Sequence, residues 1–158
     1  MKDSQINRTA FRYLKTIFSL GGYPGGEDFV KMSELSRALN LSLPTVSIMT
    51  RRLENRGLVV VEAGRGVALT WKGVEFLAES CWKRSVIENT MKFLEIPWSE
   101  IEQASDAMCF NLSPQAVLKL WKCAGETPGC LKDYVTISES GNGKELIKWL
   151  VECCGLRK

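Results

Sequence analysis

The 158-residue chain contains no histidine at all. That absence excludes histidine-based catalytic triads, histidine-ligated zinc and histidine proton shuttles. There is no apolar run of about 18 residues, so no membrane-spanning helix is expected and no membrane partner. The opening stretch MKDSQINRTAF has no apolar signal core, and a cytoplasmic location follows as the expectation. In that compartment the six cysteines are thiols or metal ligands rather than structural disulfides. No CxxC pair and no glycine-rich phosphate loop occur. With those and histidine missing there is no catalytic constellation, and the chain is not expected to be an enzyme. Glu102 and Asp106 are better explained as charge partners than as a general acid/base pair, which would need a cleft.

Excess charge is small too, but it is uneven. Net charge is +3. Residues 1–75 hold 11 Lys/Arg against 7 Asp/Glu, whereas residues 76–158 hold 10 against 11. The positive surplus therefore sits in the first half, where a nucleic-acid partner would be sought.

Apolar residues make up 45% of the chain, enough for a real core. In the segment 8–20, Phe11, Leu14, Ile17 and Phe18 repeat at helical spacing, and the glycines from Gly21 to Gly26 end that helix in a loop. A second, short helix is expected over 30–39, with Ser33 as N-cap and Leu35 and Ala38 inward. Ser42 caps a third, with Pro44 in its first turn, where a missing N–H costs little. Val46, Met49 and Leu53 form its core face, and Gly57 ends it. Residues 58–62 and 67–69 read as two strands joined by the AGRG turn. Thr70 caps a long helix over 71–93. Two further helices follow, one opened by Ile96-Pro97-Trp98 and ending near Leu112, the other starting at Ser113-Pro114 and ending near Cys123. Residues 134–137 are expected as strand and 145–152 as helix. The fold class is mainly α: an N-terminal winged helix-turn-helix followed by a helical domain. The expected division is 1–73 for DNA binding, 74–124 for a helical dimerisation domain, and 125–158 for a C-terminal extension.

The stretch LSLPTVSIMTRRLENRGLVVV carries the functional signal. Small hydroxyl residues at the front of a helix approach base edges and phosphates closely, and the free N–H groups there attract phosphate. Arginines further along reach the phosphates that flank a groove. The DNA-contacting set is therefore Ser42, Pro44, Thr45, Ser47, Arg51 and Arg52, with Arg56 beside them and Arg65 at the wing tip. The competing reading is a capped helix with a solvated charged face. Ile48, apolar on that same face, also supports a different class of function, a winged-helix module that binds protein without sequence-specific DNA contact.

The pieces KMSELSRALNLSLPTVSIMTRRLENRGLVVV, RGVALTWKG, the long helix 71–93 and LEIPWSEIEQASDAMCFNLSPQAV resemble, in order and spacing, the diphtheria toxin repressor family of iron- and manganese-dependent transcriptional regulators. The resemblance covers residues 28–123. It implies a homodimeric repressor whose paired recognition helices read a palindromic operator in double-stranded DNA. It also implies a metal site built from the first helix, the long helix and the helix after it.

At those positions most ligands are replaced. Arg12 and Lys15 stand where some members carry acids, Arg84 stands at a histidine, and Phe110 replaces another. Glu88 keeps an acid, and Glu102, Asp106 and Cys109 fall at the remaining positions. Glu102, Asp106 and Cys109 also share one side of a helix at i, i+4 and i+7, beside a core stripe of Ile101, Ala104, Met108 and Leu112. One reading is a divalent site, with carboxylates suiting Mn²⁺ or Fe²⁺ and the thiolate pulling toward softer metals. The reading we favour is that Arg12, Lys15 and Arg84 repel a cation and pair with the acids as ion-pair substitutes. A decayed site of ordinary surface charges is the third. Cys123, Cys130, Cys153 and Cys154 are either small hydrophobes or a thiol sensor for a soft metal, an iron–sulfur cluster or a regulatory disulfide.

Overall fold

The computed structural model describes residues 2–26, 29–125, 129–153 and 155, with the backbone alone for 2–5, 129 and 130. The elements run α1 (Lys2–Ser19), α2 (Met32–Leu39), α3 (Leu43–Asn55), β1 (Val59–Glu62), β2 (Gly66–Leu69), α4 (Trp71–Phe93), α5 (Trp98–Cys109), α6 (Pro114–Cys123), α7 (Gly129–Ser140) and α8 (Gly143–Cys153). They form two compact units. One is built mainly from Thr9–Leu77, the other from residues 78–154 together with the start of α1 up to Arg8.

In the first unit, Ala10, Tyr13, Leu14, Ile17 and Phe18 of α1 form the centre of a core completed by Leu35, Leu39, Val46, Leu53 and the wing residues Val59, Val67 and Leu69. The turn of α2 inward is set by Leu35 and Leu39, four apart. Ala38 is exposed rather than inward. The helix also starts one residue before Ser33, with Lys31 at the N-cap position and no side-chain cap. Asn40 takes the left-handed conformation that stops it, φ 53°. α3 buries Val46, Thr50 and Leu53. Thr50 takes the place expected of Met49 because its hydroxyl donates to the Val46 carbonyl at 2.7 Å and so enters the core satisfied.

β1 and β2 pair antiparallel from Val59↔Leu69 to Glu62↔Gly66. Val30 adds a single bridge to Val67 on the other side of β2. Gly66 makes this possible. Its φ is +127°, and a Cβ there would collide with the Val30 carbonyl. Only glycine fits both demands. Thr70 then starts α4: its Oγ1 accepts from the Gly73 N–H at 3.1 Å and donates to the Gly57 carbonyl at 2.6 Å.

In the second unit α4 contributes Cys81, Trp82, Val86 and Ile87 to a core shared with Ile101, Cys109, Val117 and Trp121. Residues 134–137, expected as strand, lie inside helix α7. The apolar spacing there is helical: Leu131 and Tyr134 are both buried. Trp82 donates its Nε1–H to the Leu131 carbonyl at 3.2 Å. Tyr134 stacks on Trp82 with ring centroids 5.1 Å apart and lies 5.0 Å from Trp149 of α8. The last two helices thus belong to the core of this unit.

Candidate nucleic-acid interface

The N-terminus of α3 is built by Ser42 and Pro44. Ser42 is extended, φ −68° and ψ 148°. Its Oγ lies 3.4 Å from the Thr45 N–H and 2.8 Å from the Thr45 hydroxyl. Burial of Val46, Thr50 and Leu53 turns Pro44, Thr45, Ile48, Arg51, Arg52 and Asn55 to the opposite, exposed face. Ser47 sits half-buried on the flank. Five of the six residues expected to contact DNA from this helix and its cap are therefore open to solvent: Ser42, Pro44, Thr45, Arg51 and Arg52. The Ile48 side chain among them is 57% exposed.

Arg56 is turned elsewhere. It caps the C-terminus of α3, and its guanidinium lies 5.8 Å from the Phe76 ring centroid. It is half-buried and not part of the outward row. Its carbonyl accepts from Lys72 Nζ at 2.9 Å. The outward row ends in a joint to the wing: Glu54 Oε1 accepts from the Val61 N–H at 3.2 Å.

Arg65 occupies the wing turn. Its guanidinium lies 4.3 Å above the Phe29 ring and its Nη1 is 2.6 Å from the Glu62 carboxylate, with the side chain 59% exposed. The ring and the acid restrict its rotamers while the cation stays in water.

The second set of residues singled out from the sequence meets on α4 and α5. Arg84 Nε donates to Glu88 at 2.7 Å and Arg84 Nη1 donates to Asp106 Oδ1 at 2.5 Å. Arg8 reaches the other Asp106 oxygen at 2.6 Å. Ser105 Oγ donates to Glu88 at 3.4 Å. Burial works against the Arg84 charge, yet the hydrogen bond to Glu88 and the carboxylates of Asp106 and Glu88 more than offset it, so its pKa lies above the ordinary value.

Of the three cations expected to pair with the acids, Arg84 meets Glu88 and Asp106, and the placement of the other two needs correcting. Arg12 donates instead to the Leu39 carbonyl at 2.9 Å, because its neighbour in the fold is the free C-terminal end of α2. Lys15 is exposed and forms no ion pair among the described residues. The cation that completes the cluster is Arg8, which the sequence reading missed. It precedes Arg12 by four residues on the same helix, and that spacing was the available signal.

The core stripe of α5 also differs from expectation. It is Ile101, Ser105 and Cys109, with Ala104 and Met108 half-buried. Cys109 is therefore a core residue. Its Sγ donates to the Ser80 carbonyl at 3.3 Å. Burial pushes the thiol up to about 11, although Lys83 and Arg84 pull it down. Glu102 is exposed and apart from the cluster.

Among the described residues no three acids or cysteines gather as a metal site would require. The donor set does not fit a divalent ion: a guanidinium lies between the two acids, the thiol is protonated, and the remaining acid, Glu102, is exposed to solvent. Cys123 and Cys153 are exposed cysteines and Cys81 is buried. The side chain of Cys130 and all of Cys154 lie outside the described residues.

A further feature had no counterpart in the sequence reading. Phe93, Leu94 and Trp98 are 72%, 62% and 55% exposed where α4 ends and α5 begins. Lys92 Nζ lies 4.7 Å from the Trp98 ring centroid.

Residues 6–67 match the family described as iron dependent repressor, N-terminal DNA binding domain. An uncharacterized HTH-type transcriptional regulator from Aeropyrum pernix is 32% identical over 144 residues, covering 91% of this chain and 79% of that protein. A hypothetical protein from Sulfolobus solfataricus shares the fold with a TM-score of 0.66 at 22% identity, covering 76% of this chain and 90% of its own. ScaR, crystallised with bound Zn²⁺, shares it with a TM-score of 0.61 at 21% identity; there the match covers 75% of this chain but 54% of ScaR. The Aeropyrum relative places the chain among the HTH-type transcriptional regulators, and its winged helix carries the segment that matches the iron dependent repressor DNA-binding domain.

Proposed function

We propose that the chain is a homodimeric DNA-binding repressor that reads a palindromic operator. The observation that carries this is the exposed row Thr45, Ile48, Arg51 and Arg52 on α3, beside a wing tip that holds Arg65. A helix of this size enters a major groove, where Thr45 approaches base edges and Ile48 suits a thymine methyl. Arg51 and Arg52 suit flanking phosphates, and Arg65 suits the backbone or the minor groove. The reading assigns residues 1–73 to DNA and 74–124 to dimerisation. The extension 125–158 supports the dimerisation unit through the Trp82, Tyr134 and Trp149 contacts. Exposed Phe93, Leu94 and Trp98 form an apolar corner of the sort that homodimers bury. Two protomers would set their recognition helices roughly 34 Å apart, one DNA turn.

The test is fluorescence anisotropy with duplex DNA across a salt series. Three arginines per protomer, six per dimer, should make log K fall with a slope of about −5 against log salt. Replacing Arg52 with Gln should flatten the slope by about 2, because the dimer loses two phosphate contacts. A flat salt profile would instead favour the protein-binding module, which exposed Ile48 and the low net charge of +3 support.

A further inference from the structure

We propose that Arg84 is a built-in cation: its guanidinium bridges Glu88 of α4 to Asp106 of α5, so that the joint between these helices is closed without a divalent ion and does not respond to one. The inference rests on the reading above only where it touches DNA binding. The two arms of one guanidinium reach one carboxylate each, at 2.7 and 2.5 Å. Arg8 takes the second oxygen of Asp106 at 2.6 Å, and Ser105 takes the same Glu88 oxygen from the side. Two cations face two anions, so the cluster is neutral. An entering Mn²⁺ or Fe²⁺ would have to displace a fixed, planar donor and would then face two guanidinium groups at short range. It would find no thiolate to compensate, since Cys109 donates to the Ser80 carbonyl. The cluster is also shielded: the Asp106 and Glu88 side chains are 17% and 20% exposed. Charge-assisted hydrogen bonds from a guanidinium are directional and fix the angle between two helices as well as their distance.

The experiment uses the full chain with Mn²⁺, Fe²⁺ (under anaerobic conditions) and chelator as the probes. Thermal unfolding and elemental analysis are read first, because neither needs DNA. The unsubstituted protein should unfold at the same temperature in Mn²⁺ and in chelator and should carry no stoichiometric metal. Arg84→Gln leaves two half-buried carboxylates without their bridge. It should lower Tm by about 5 °C, and Mn²⁺ should restore part of that loss. Arg84→Lys keeps the charge but cannot span both acids, and should fall between the two. Asp106→Asn, which removes one anion but keeps the shape, should lower Tm and show no rescue by Mn²⁺. Stoichiometric Mn²⁺ or Fe²⁺ in the unsubstituted protein, or an Arg84→Gln variant with unchanged Tm, overturns the proposal. DNA anisotropy is read last. Affinity that is equal in chelator and Mn²⁺ supports it, and affinity that collapses in chelator overturns it. Failure to bind any duplex counts against the DNA-binding reading alone, since the unfolding arms still decide the role of Arg84.

Discussion

Cys109 shows how a single position changes meaning once its surroundings are known. In the row Glu102, Asp106, Cys109 it looks like a soft ligand beside two acids. In the fold it is 1% exposed, hydrogen-bonded through its own proton to Ser80, and held neutral to about pH 11. The folded protein therefore keeps a proton that the unfolded chain gives up near the ordinary thiol pKa of 9.0. Stability is undiminished below pH 9 and falls as pH rises from 9 toward 11, by on the order of 2 kcal/mol from this group. Urea titrations of the parent protein and Cys109→Ala at pH 8 and pH 10.5 should show the smaller pH loss in the variant. Alkylation provides an independent check: at pH 8 iodoacetamide should label exposed Cys123 and Cys153, while buried Cys81 and Cys109 react only after unfolding.

At the scale of elements, the winged helix was legible because its local signals agree. Ser42 and Pro44 start α3, Gly57 with φ +71° follows its end, and AGRG joins two short apolar runs as a hairpin turn. Helix periodicity gave most of the core too. What the sequence hid was set by contacts distant along the chain. Thr50 enters the core because a hydroxyl can satisfy itself on its own helix, which a hydropathy pattern does not show. Residues 134–137 read as strand because Tyr-Val-Thr-Ile carries high β-propensity, and packing on Trp82 and Trp149 overrides it within α7. Arg8 was overlooked in favour of Arg12 because which turn of α1 faces an acid is a tertiary fact. Thr70 is the best single probe of how elements are joined, since one hydroxyl both caps α4 and holds the end of α3 through Gly57. Thr70→Ala should cost about 1–2 kcal/mol in urea unfolding. Thr70→Ser should keep most of it, because the oxygen is retained.

At the scale of the whole molecule, the proposed dimeric repressor needs both a surface for DNA and a contact between protomers. One presents the outward row of α3. The other carries the apolar corner of Phe93, Leu94 and Trp98. Because that corner is open to solvent within one chain, charging it tests association without disturbing a core. Replacing Phe93 and Leu94 together with Asp should leave Tm within a few degrees and halve the mass measured by sedimentation. It should also weaken binding to a two-half-site duplex far more than to a single half-site. An unchanged mass would place the dimer contact elsewhere.

The hydrogen bond from Val61 to Glu54 has a consequence for solubility. β1 pairs with β2 on one side, and its other side is an open strand edge bearing Val60, itself 39% exposed. Such an edge is a template for strands of other molecules, above all at the high local concentrations reached when many copies crowd onto DNA. The Glu54 carboxylate occupies one of the donors on that edge at 3.2 Å and sets a negative charge beside it. Glu54→Ala should therefore barely change the unfolding free energy. It should raise light scattering on prolonged incubation at high concentration, while Glu54→Gln, which can still accept the bond, should stay closer to the parent protein. The same side chain that ties helix to wing would then keep the regulator from polymerising edge to edge.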